Sequence, residues 1–170
     1  ITVVNNCGSS VLTAGAYTGS LLWSTGATTP SITVITPGNY TVTQTVNGNT
    51  SVATNATAAP KTSPQLSSGL TASINTNTVF TYSASSTVAG TSFAWSRAAV
   101  PGISNAAANG TGDINETLIN TTSSPVNVAY VYTLTANGCT TTQNVAVTVN
   151  PVLAGCIINT SLASNFNATA

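Results

Sequence analysis

The sequence contains almost no charge. Its 170 residues include two basic side chains, two acidic ones and no histidine. Charged residues make up 2% of the chain, against about 25% in an ordinary soluble domain. A nucleic-acid partner is excluded, because binding phosphates requires a footprint of lysine and arginine. Anionic membrane surfaces are disfavoured for the same reason. Insertion into a membrane is not expected either, because no apolar run approaches the roughly 20 residues of a span.

The same shortage argues against catalysis. General acid–base chemistry needs a histidine or well-placed carboxylates, and no serine or cysteine here has an evident base beside it. We therefore expect that the chain is not an enzyme and that it uses no cofactor.

Serine, threonine and asparagine take the place of the missing charges. Hydrophobic residues still reach 42%, which is enough to build cores and argues against disorder. Position 1 is not methionine and no signal sequence is present, so we interpret the chain as a processed or excised piece of an extracellular, cell-surface protein. Exposed sheet edges are usually protected by lysine. This chain has almost none, so other groups must cover its edges.

Two segments, Gly38–Val52 and Tyr130–Thr142, have the pattern of a β-hairpin. Each runs from strand-forming Tyr, Thr and Val residues into an Asn-Gly dipeptide, whose positive φ angles suit a tight turn, and then into a second strand. In both segments a tyrosine stands seven residues before the turn asparagine, and a Trp-Ser pair lies upstream. The repetition predicts two unequal copies of one module.

Strand-forming runs separated by turn signals cover most of the chain, and no window has helical periodicity. The predicted strands are 1–5, 10–16, 21–24, 31–35, 39–46, 50–58, 71–75, 78–83, 92–96, 116–120, 126–136 and 141–150. The predicted fold class is all-β, with two tandem Ig-like or PKD-like β-sandwiches and a C-terminal extended strand. The predicted organisation is a small sandwich at 1–59, a Pro-rich linker at 60–64, a second sandwich at 65–150 and a tail at 151–170. A long loop is predicted at 97–112.

The tail alternates between two kinds of residue. From Ile158 onwards the even positions are mainly apolar, with Ile158, Leu162 and Phe166 as the large side chains, and the odd positions are mainly polar. This period of two is typical of a strand half-buried in a sheet. Because the tail is too short to form a module of its own, it needs a partner sheet.

Residues 64–150 resemble the PKD-like modules of large surface proteins from Bacteroidota-type bacteria. The resemblance is carried by the ordered set 88–95, 110–114, 116–122, 132–135 and 137–139. Residues 1–59 are similar to the shorter Ig-like repeats of the same proteins, through 7–8, 22–29, 31–34 and 38–42. The resemblance implies β-sandwiches in cell-surface adhesins, in filaments or in the stalks of exported enzymes.

The three cysteines depart from the pattern of that family, whose modules pair an early cysteine with one just after the Asn-Gly turn. The first module has Cys7 but Asn49 at the second position, and the second module has Cys139 but Ser67 at the early one. With Cys156 in the tail the count is odd. The cysteines are either buried free thiols or bridges between modules or between chains. A zinc site is not expected, because there is no histidine and no close cysteine pair.

Asp113 and Glu116 lie three residues apart and are candidate calcium ligands, although two carboxylates are few for that ion. The alternative is a solvated or capping role. Lys61 invites comparison with the amide crosslinks of some Ig-like pilins. Its Pro-flanked position favours an ordinary solvated lysine instead. We expect no metal site and no catalytic pair.

Aromatic and asparagine residues give two further candidates. Trp23, Trp95, Tyr40 and Tyr130 could line a sugar-binding surface, but their repeated positions within strands favour core packing. Asn-X-Ser/Thr triplets begin at Asn39, Asn49, Asn55, Asn109, Asn115, Asn120, Asn159 and Asn167. They either reflect only the abundance of these residues or carry surface glycans, which would supply solubility in place of charge.

These features favour a non-enzymatic structural or adhesive module of a surface filament or giant adhesin. In the filament version the tail adds as a strand to the first module of the next chain, and Cys156 could pair there with Cys7 while Cys139 stays unassigned. In the giant-adhesin version the tail begins the next repeat, and Cys156 is the counterpart of Cys7. The alternative from a different class is a carbohydrate-binding or spacer module of an exported enzyme.

Overall fold

The structure, a computed structural model, describes residues 1–152. They form fourteen β-strands and no helix, so the predicted all-β class is confirmed for this part of the chain. Because helices are absent from the described residues, none is long and apolar enough to cross a membrane. The strands are β1 (Thr2–Asn6), β2 (Ser9–Thr13), β3 (Ser20–Trp23), β4 (Ser31–Val34), β5 (Gly38–Val46), β6 (Asn49–Thr50), β7 (Thr54–Ala58), β8 (Thr71–Asn75), β9 (Thr78–Tyr82), β10 (Ser92–Arg97), β11 (Ala108–Thr111), β12 (Ile114–Leu118), β13 (Val126–Ala136) and β14 (Cys139–Asn150).

The first sandwich comprises β1 to β7. One sheet has the order β1-β2-β4, and in the other β5 lies between β3 and the pair β6 and β7. The inward positions of both sheets meet in one core, and alternation of buried and exposed residues along β3 and β4 places their polar residues outside. The buried members of the core are Leu12, Leu21, Trp23, Ile32, Val34, Val42 and Ala58.

The second sandwich comprises β8 to β14. Its larger sheet has the order β11-β10-β13-β14-β8, in which β8 pairs with β14 in parallel, and its smaller sheet pairs β12 with β9. The long hairpin of β13 and β14 contributes seven of the eleven buried members of the core. The buried members of the core are Phe80, Ile103, Ile114, Leu118, Val128, Tyr130, Tyr132, Leu134, Val145, Val147 and Val149.

Both Asn-Gly turns form as expected. Asn47 and Asn137 have φ angles of 48° and 55°, and the glycines that follow them also have positive φ. Residues with positive φ at both central positions match the right-handed twist of the flanking strands, so each turn fixes the register of its hairpin. In the second hairpin Ala136 pairs with Cys139, directly across the turn.

Four predictions about strands were wrong in detail. The predicted strand 10–16 ends at Thr13. The predicted strand 50–58 is interrupted, because residues 51–53 stand opposite only Thr43 and Gln44 of β5 and form a bulge.

The predicted long loop 97–112 contains β11, which pairs with β10. The strand predicted at 116–120 runs from Ile114 to Leu118, the five residues that pair with β9. Asn120 lies beyond its end, where the buried amide bonds to the carbonyls of Ser124 and Val149.

Candidate functional site

The two sandwiches are joined covalently at their junction. Cys7 follows β1 directly, Cys139 is the first residue of β14, and their sulfur atoms are bonded, with the Cα atoms 5.7 Å apart. The sequence left open whether the cysteines are free thiols or form bridges between modules or between chains. For Cys7 and Cys139 the structure shows a bridge between the two modules of one chain. Cys7 is therefore not available to Cys156 of another chain, and the pairing suggested in the filament version is corrected. Cys156 lies outside the described residues.

Backbone contacts with Lys61 support this bridge. The Lys61 N–H donates to the carbonyl of Asn6 at 2.9 Å, and the Lys61 carbonyl accepts from the N–H of Gly8 at 2.8 Å. Cys7 is thus held between two hydrogen bonds to the linker. The Lys61 side chain is exposed and extends towards Gly138 of the second sandwich. Its Nζ atom lies 3.6 Å from the point where a Cβ atom would stand if residue 138 had one. Lys61 is therefore part of the junction through its backbone, a role that the sequence pattern did not indicate.

Arg97 and Glu116 form a buried ion pair inside the second sandwich. Arg97 donates from Nε to Glu116 Oε2 at 3.0 Å and from Nη2 to Oε1 at 2.5 Å. The Arg97 side chain is fully buried, whereas that of Glu116 is 17% exposed. The Tyr130 hydroxyl donates a hydrogen bond to Glu116 Oε2 at 2.6 Å. Because Arg97 and Tyr130 belong to the larger sheet and Glu116 to the smaller one, the cluster links the two sheets.

Arg97 also holds the long connection between β10 and β11. Its Nη1 donates to the carbonyl of Ala98 at 3.1 Å and its Nη2 to that of Ala106 at 2.6 Å. The guanidinium group presents its donors in a rigid fork, which suits two carbonyls and a carboxylate at once. Sequence reasoning did not single out Arg97. The composition contained a signal for this ion pair. If the one arginine is buried, only the two carboxylate side chains are available to neutralise its charge.

The surroundings of Glu116 lower the pKa of its carboxyl. Burial by itself would raise the pKa of the Glu116 carboxyl. The hydrogen bonds from Arg97 and Tyr130, together with the Arg97 charge, outweigh burial and hold that pKa below its ordinary value. Burial and the bond to Glu116 raise the pKa of the Tyr130 hydroxyl. For Arg97 the bond to Glu116 raises the pKa of the guanidinium group against the opposing effect of burial.

We expect the free energy of unfolding to be nearly constant between about pH 5 and 8, because the chain has no histidine. A carboxyl whose pKa is lowered by folding contributes stability above its unfolded pKa and loses it as the pH falls through the folded pKa. Stability should therefore decline below about pH 4.5. Denaturant unfolding at a series of pH values checks this, with Glu116→Gln as the comparison. An equal acid loss in that variant would contradict the assignment to Glu116.

The two carboxylates do not act as a pair. Asp113 accepts from the Ser83 hydroxyl at 3.1 Å and from the Ala84 N–H at 3.0 Å, while Glu116 faces Arg97. Asp113 therefore caps the end of β9. Residues 1–152 contain no group of three or more His, Cys, Asp or Glu side chains that could hold a metal ion.

The repeated aromatic residues lie in or against the two cores. Trp23 and Tyr130 are buried, and Trp23 donates from Nε1 to the Thr29 carbonyl at 2.8 Å. Tyr40 and Trp95 are half-buried and pack against the cores of the first and second sandwich respectively. None of the four is arranged as an exposed platform on which a sugar ring would stack.

The asparagine triplets divide into two groups. Among the described residues, Asn120 is 6% exposed and bonds to the protein through both its amide nitrogen and its oxygen, so it has no room for a glycan. The other triplets in the described part of the chain begin at exposed asparagines: Asn39, Asn49, Asn55, Asn109 and Asn115. Glycosylation of these five remains a prediction.

A cavity of about 340 Å³ opens in the first sandwich at the end away from Cys7. Leu21 and Val42, which are 4% and 8% exposed, form its apolar floor. Tyr17 and Val52 lie at its rim, and Val52, in the bulge between β6 and β7, is 88% exposed. Ser51 still donates its N–H to the Gln44 carbonyl at 2.9 Å, whereas Val52 and Ala53 have no such bond to β5, so the bulge places Val52 at the rim of the cavity.

Comparison with known proteins identifies no family. No protein-family model and no curated protein matches the sequence. Among solved structures, the chain is similar to a chimeric titin Z1Z2-Z1Z2 tandem functionalised with an exogenous GRGDS peptide from fibronectin. The sequence identity is 12%, the match covers 87% of this chain and 93% of that one, and the TM-score is 0.34.

Proposed function

We propose that this chain is a structural module of an extracellular, cell-surface filament or adhesin, and that chains associate head to tail through donation of the tail. The observation that carries the proposal is the open cavity with an apolar floor at one end of the tandem, while the tail leaves from the other. β1 begins beside the cavity and ends at the Cys7 junction, and β14 runs from that junction to Asn150. The tail therefore starts at the end of the second sandwich that lies away from the first.

The apolar residues of the tail match the apolar floor that Leu21 and Val42 form in the cavity. Ile158, Leu162 and Phe166 fall on one face of an extended strand, spaced four residues or roughly 13 Å apart. A cavity of about 150 Å³ accommodates a benzene ring, so a volume of about 340 Å³ is large enough for one or two such side chains. Full burial of each would contribute roughly 1.5–3 kcal/mol before ordering costs.

The positions of the apolar residues in the tail favour a second copy as the acceptor. Ile158 and Leu162 follow Asn150 by 8 and 12 residues, so they reach at most about 29 Å and 43 Å from it. The cavity of the same chain is separated from Asn150 by β14 and β1, whose twelve and five residues are about 40 Å and 17 Å long. The cavity of another chain imposes no such separation, and a contact of this kind that does not close generates a filament.

We expect Ala16→Trp to abolish head-to-tail assembly. Ala16 is exposed and lines the cavity, so an indole ring there would fill the space that the tail needs without disturbing the core. Sedimentation and electron microscopy of the full chain measure the assembly. Ala129→Trp, at an exposed position on β13 of the second sandwich, is the matched control and should assemble like the wild type. Phe166→Ser should weaken assembly from the side of the tail.

The outcomes separate the parts of the proposal. Assembly of Ala16→Trp at the wild-type level would show that the tail does not use this cavity. A wild-type chain that stays monomeric at all concentrations would contradict polymerisation itself. Intact mass of the native protein separates a subunit from a giant adhesin, because a mature chain of thousands of residues would make each module one repeat.

A further inference from the structure

The Cys7–Cys139 bond connects the first strand of the tandem directly to the last. Cys7 follows the end of β1 without an intervening residue, and β14 begins at Cys139 itself. A covalent path therefore leads from Ile1 along β1, across the two sulfur atoms and along β14 to Asn150. The sequence separation of the two cysteines is 132, so most of the chain lies off this path.

We propose that the disulfide is a tension shunt: pulling forces applied at the two ends of the tandem pass through β1, the disulfide and β14, and bypass the rest of both sandwiches. The proposal goes beyond the proposed function and does not depend on where the tail docks. It requires only that force enters at the start of β1 and leaves after β14.

Each segment of the path is already nearly extended in the folded state. Both are β-strands, in which each residue rises about 3.3 Å, close to the limit of roughly 3.6 Å for a fully extended chain. Stretching residues 1–7 and 139–150 themselves would therefore add only about 10 Å or less. Unfolding of the remaining strands adds no length, because both ends of that segment are held at one point by the bonded cysteines.

Without the bond, the same force would follow the polypeptide through the linker at Lys61. Separation of β1 and β14 from their neighbours would then feed the whole intervening segment into the path. Its 132 residue steps correspond to about 450 Å at roughly 3.4 Å per residue. With the bridge intact, a sandwich that unfolds leaves the length of the assembly unchanged. Without the bridge, the same unfolding lengthens the assembly.

Local contacts support the disulfide at the junction. The Gly8 N–H donates to the Lys61 carbonyl and the Lys61 N–H donates to the Asn6 carbonyl, so the linker is held on both sides of Cys7. Cys139 is 1% exposed. Burial of Cys139 hinders attack on its sulfur by external thiols, since exchange requires access to the disulfide. Cys7, in contrast, is exposed, so a strong reductant still reaches one sulfur atom.

Single-molecule stretching of the full chain, held by handles before Ile1 and after Ala170, tests the shunt. The experiment uses Cys156→Ser, so that the third thiol cannot exchange, and that variant should show no unfolding step near 450 Å. After reduction, or in the triple variant that also carries Cys7→Ser and Cys139→Ser, steps summing to about 450 Å should appear. The tail contributes equally to every variant and cancels in the comparison.

The proposal is overturned if the oxidised protein, with the Cys7–Cys139 peptide verified by mass spectrometry, lengthens as much as the reduced protein. It is also overturned if the native protein lacks that bond. Should the triple variant fail to fold, reduction of the oxidised, folded protein between the handles gives the same comparison. In that measurement the lengthening must appear only after reductant is added.

Discussion

Replacing both Cys7 and Cys139 by serine is expected to lower the free energy of unfolding by about 3–5 kcal/mol, the largest stability effect we anticipate from a change at the junction. A disulfide stabilises chiefly by restricting the unfolded chain, and the restriction grows with the length of the closed loop. Here the loop spans 132 residues, for which loop entropy alone gives about 5 kcal/mol. Native-state relaxation generally makes measured values smaller. Equilibrium unfolding in denaturant measures the change.

Cys156→Ser is the matched control for this experiment. It removes one cysteine but leaves the junction intact, and it should leave the free energy of unfolding nearly unchanged. The double variant should also unfold in two steps, since each sandwich has its own core and loses its covalent link to the other. If the double variant were as stable as the control, the bond would not close the loop in the native protein.

The second large effect is expected at the ion pair. Glu116→Gln should lower the free energy of unfolding by about 3–5 kcal/mol, because it leaves the Arg97 charge buried without a counter-charge. The Arg97 side chain has no solvent exposure, so water cannot replace the lost carboxylate without opening the sandwich. The connection between β10 and β11, which Arg97 holds through two carbonyls, should become mobile and exchange its amide protons faster.

A double substitution distinguishes a buried charge from a simple loss of packing. Replacing the pair by apolar residues, as in Arg97→Met with Glu116→Leu, should cost less than Glu116→Gln alone, because no uncompensated charge remains. Asp113→Asn is the control for loss of a carboxylate at an exposed position nearby, and its cost should stay within about 1 kcal/mol. A cost for the double variant well above that of Glu116→Gln would mean that packing and the bond from Tyr130 outweigh charge.

Local sequence signals predicted the hairpins well. A tight hairpin turn requires positive φ at two adjacent residues, and Asn-Gly adopts these angles easily, so both turns form as the local sequence predicts. The repeated position of Tyr130 within a strand likewise predicted core packing, and Tyr130 is buried.

β11 could not be predicted because its residues are poor strand formers. Ala108–Thr111 contains asparagine and glycine, yet it pairs with β10. Gly110 is opposite Trp95, and a Cβ atom there would lie 2.7 Å from the indole ring. The segment is a strand because glycine allows the backbone to lie against that ring, which is a property of the assembled sheet and not of the segment.

Local patterns were enough to predict the fold class. Strand-forming runs and the two Asn-Gly turns act over a few residues, so they predict an all-β chain before any packing is known. Which distant groups meet depends on how the sheets and sandwiches pack. The partner of Cys7 lies 132 residues away and that of Arg97 lies on the facing sheet of its sandwich, and no local pattern encodes such pairings. The hairpin at Asn137-Gly138 thus fixed Cys139 at the start of β14, but only docking of the two sandwiches brought Cys7 to it.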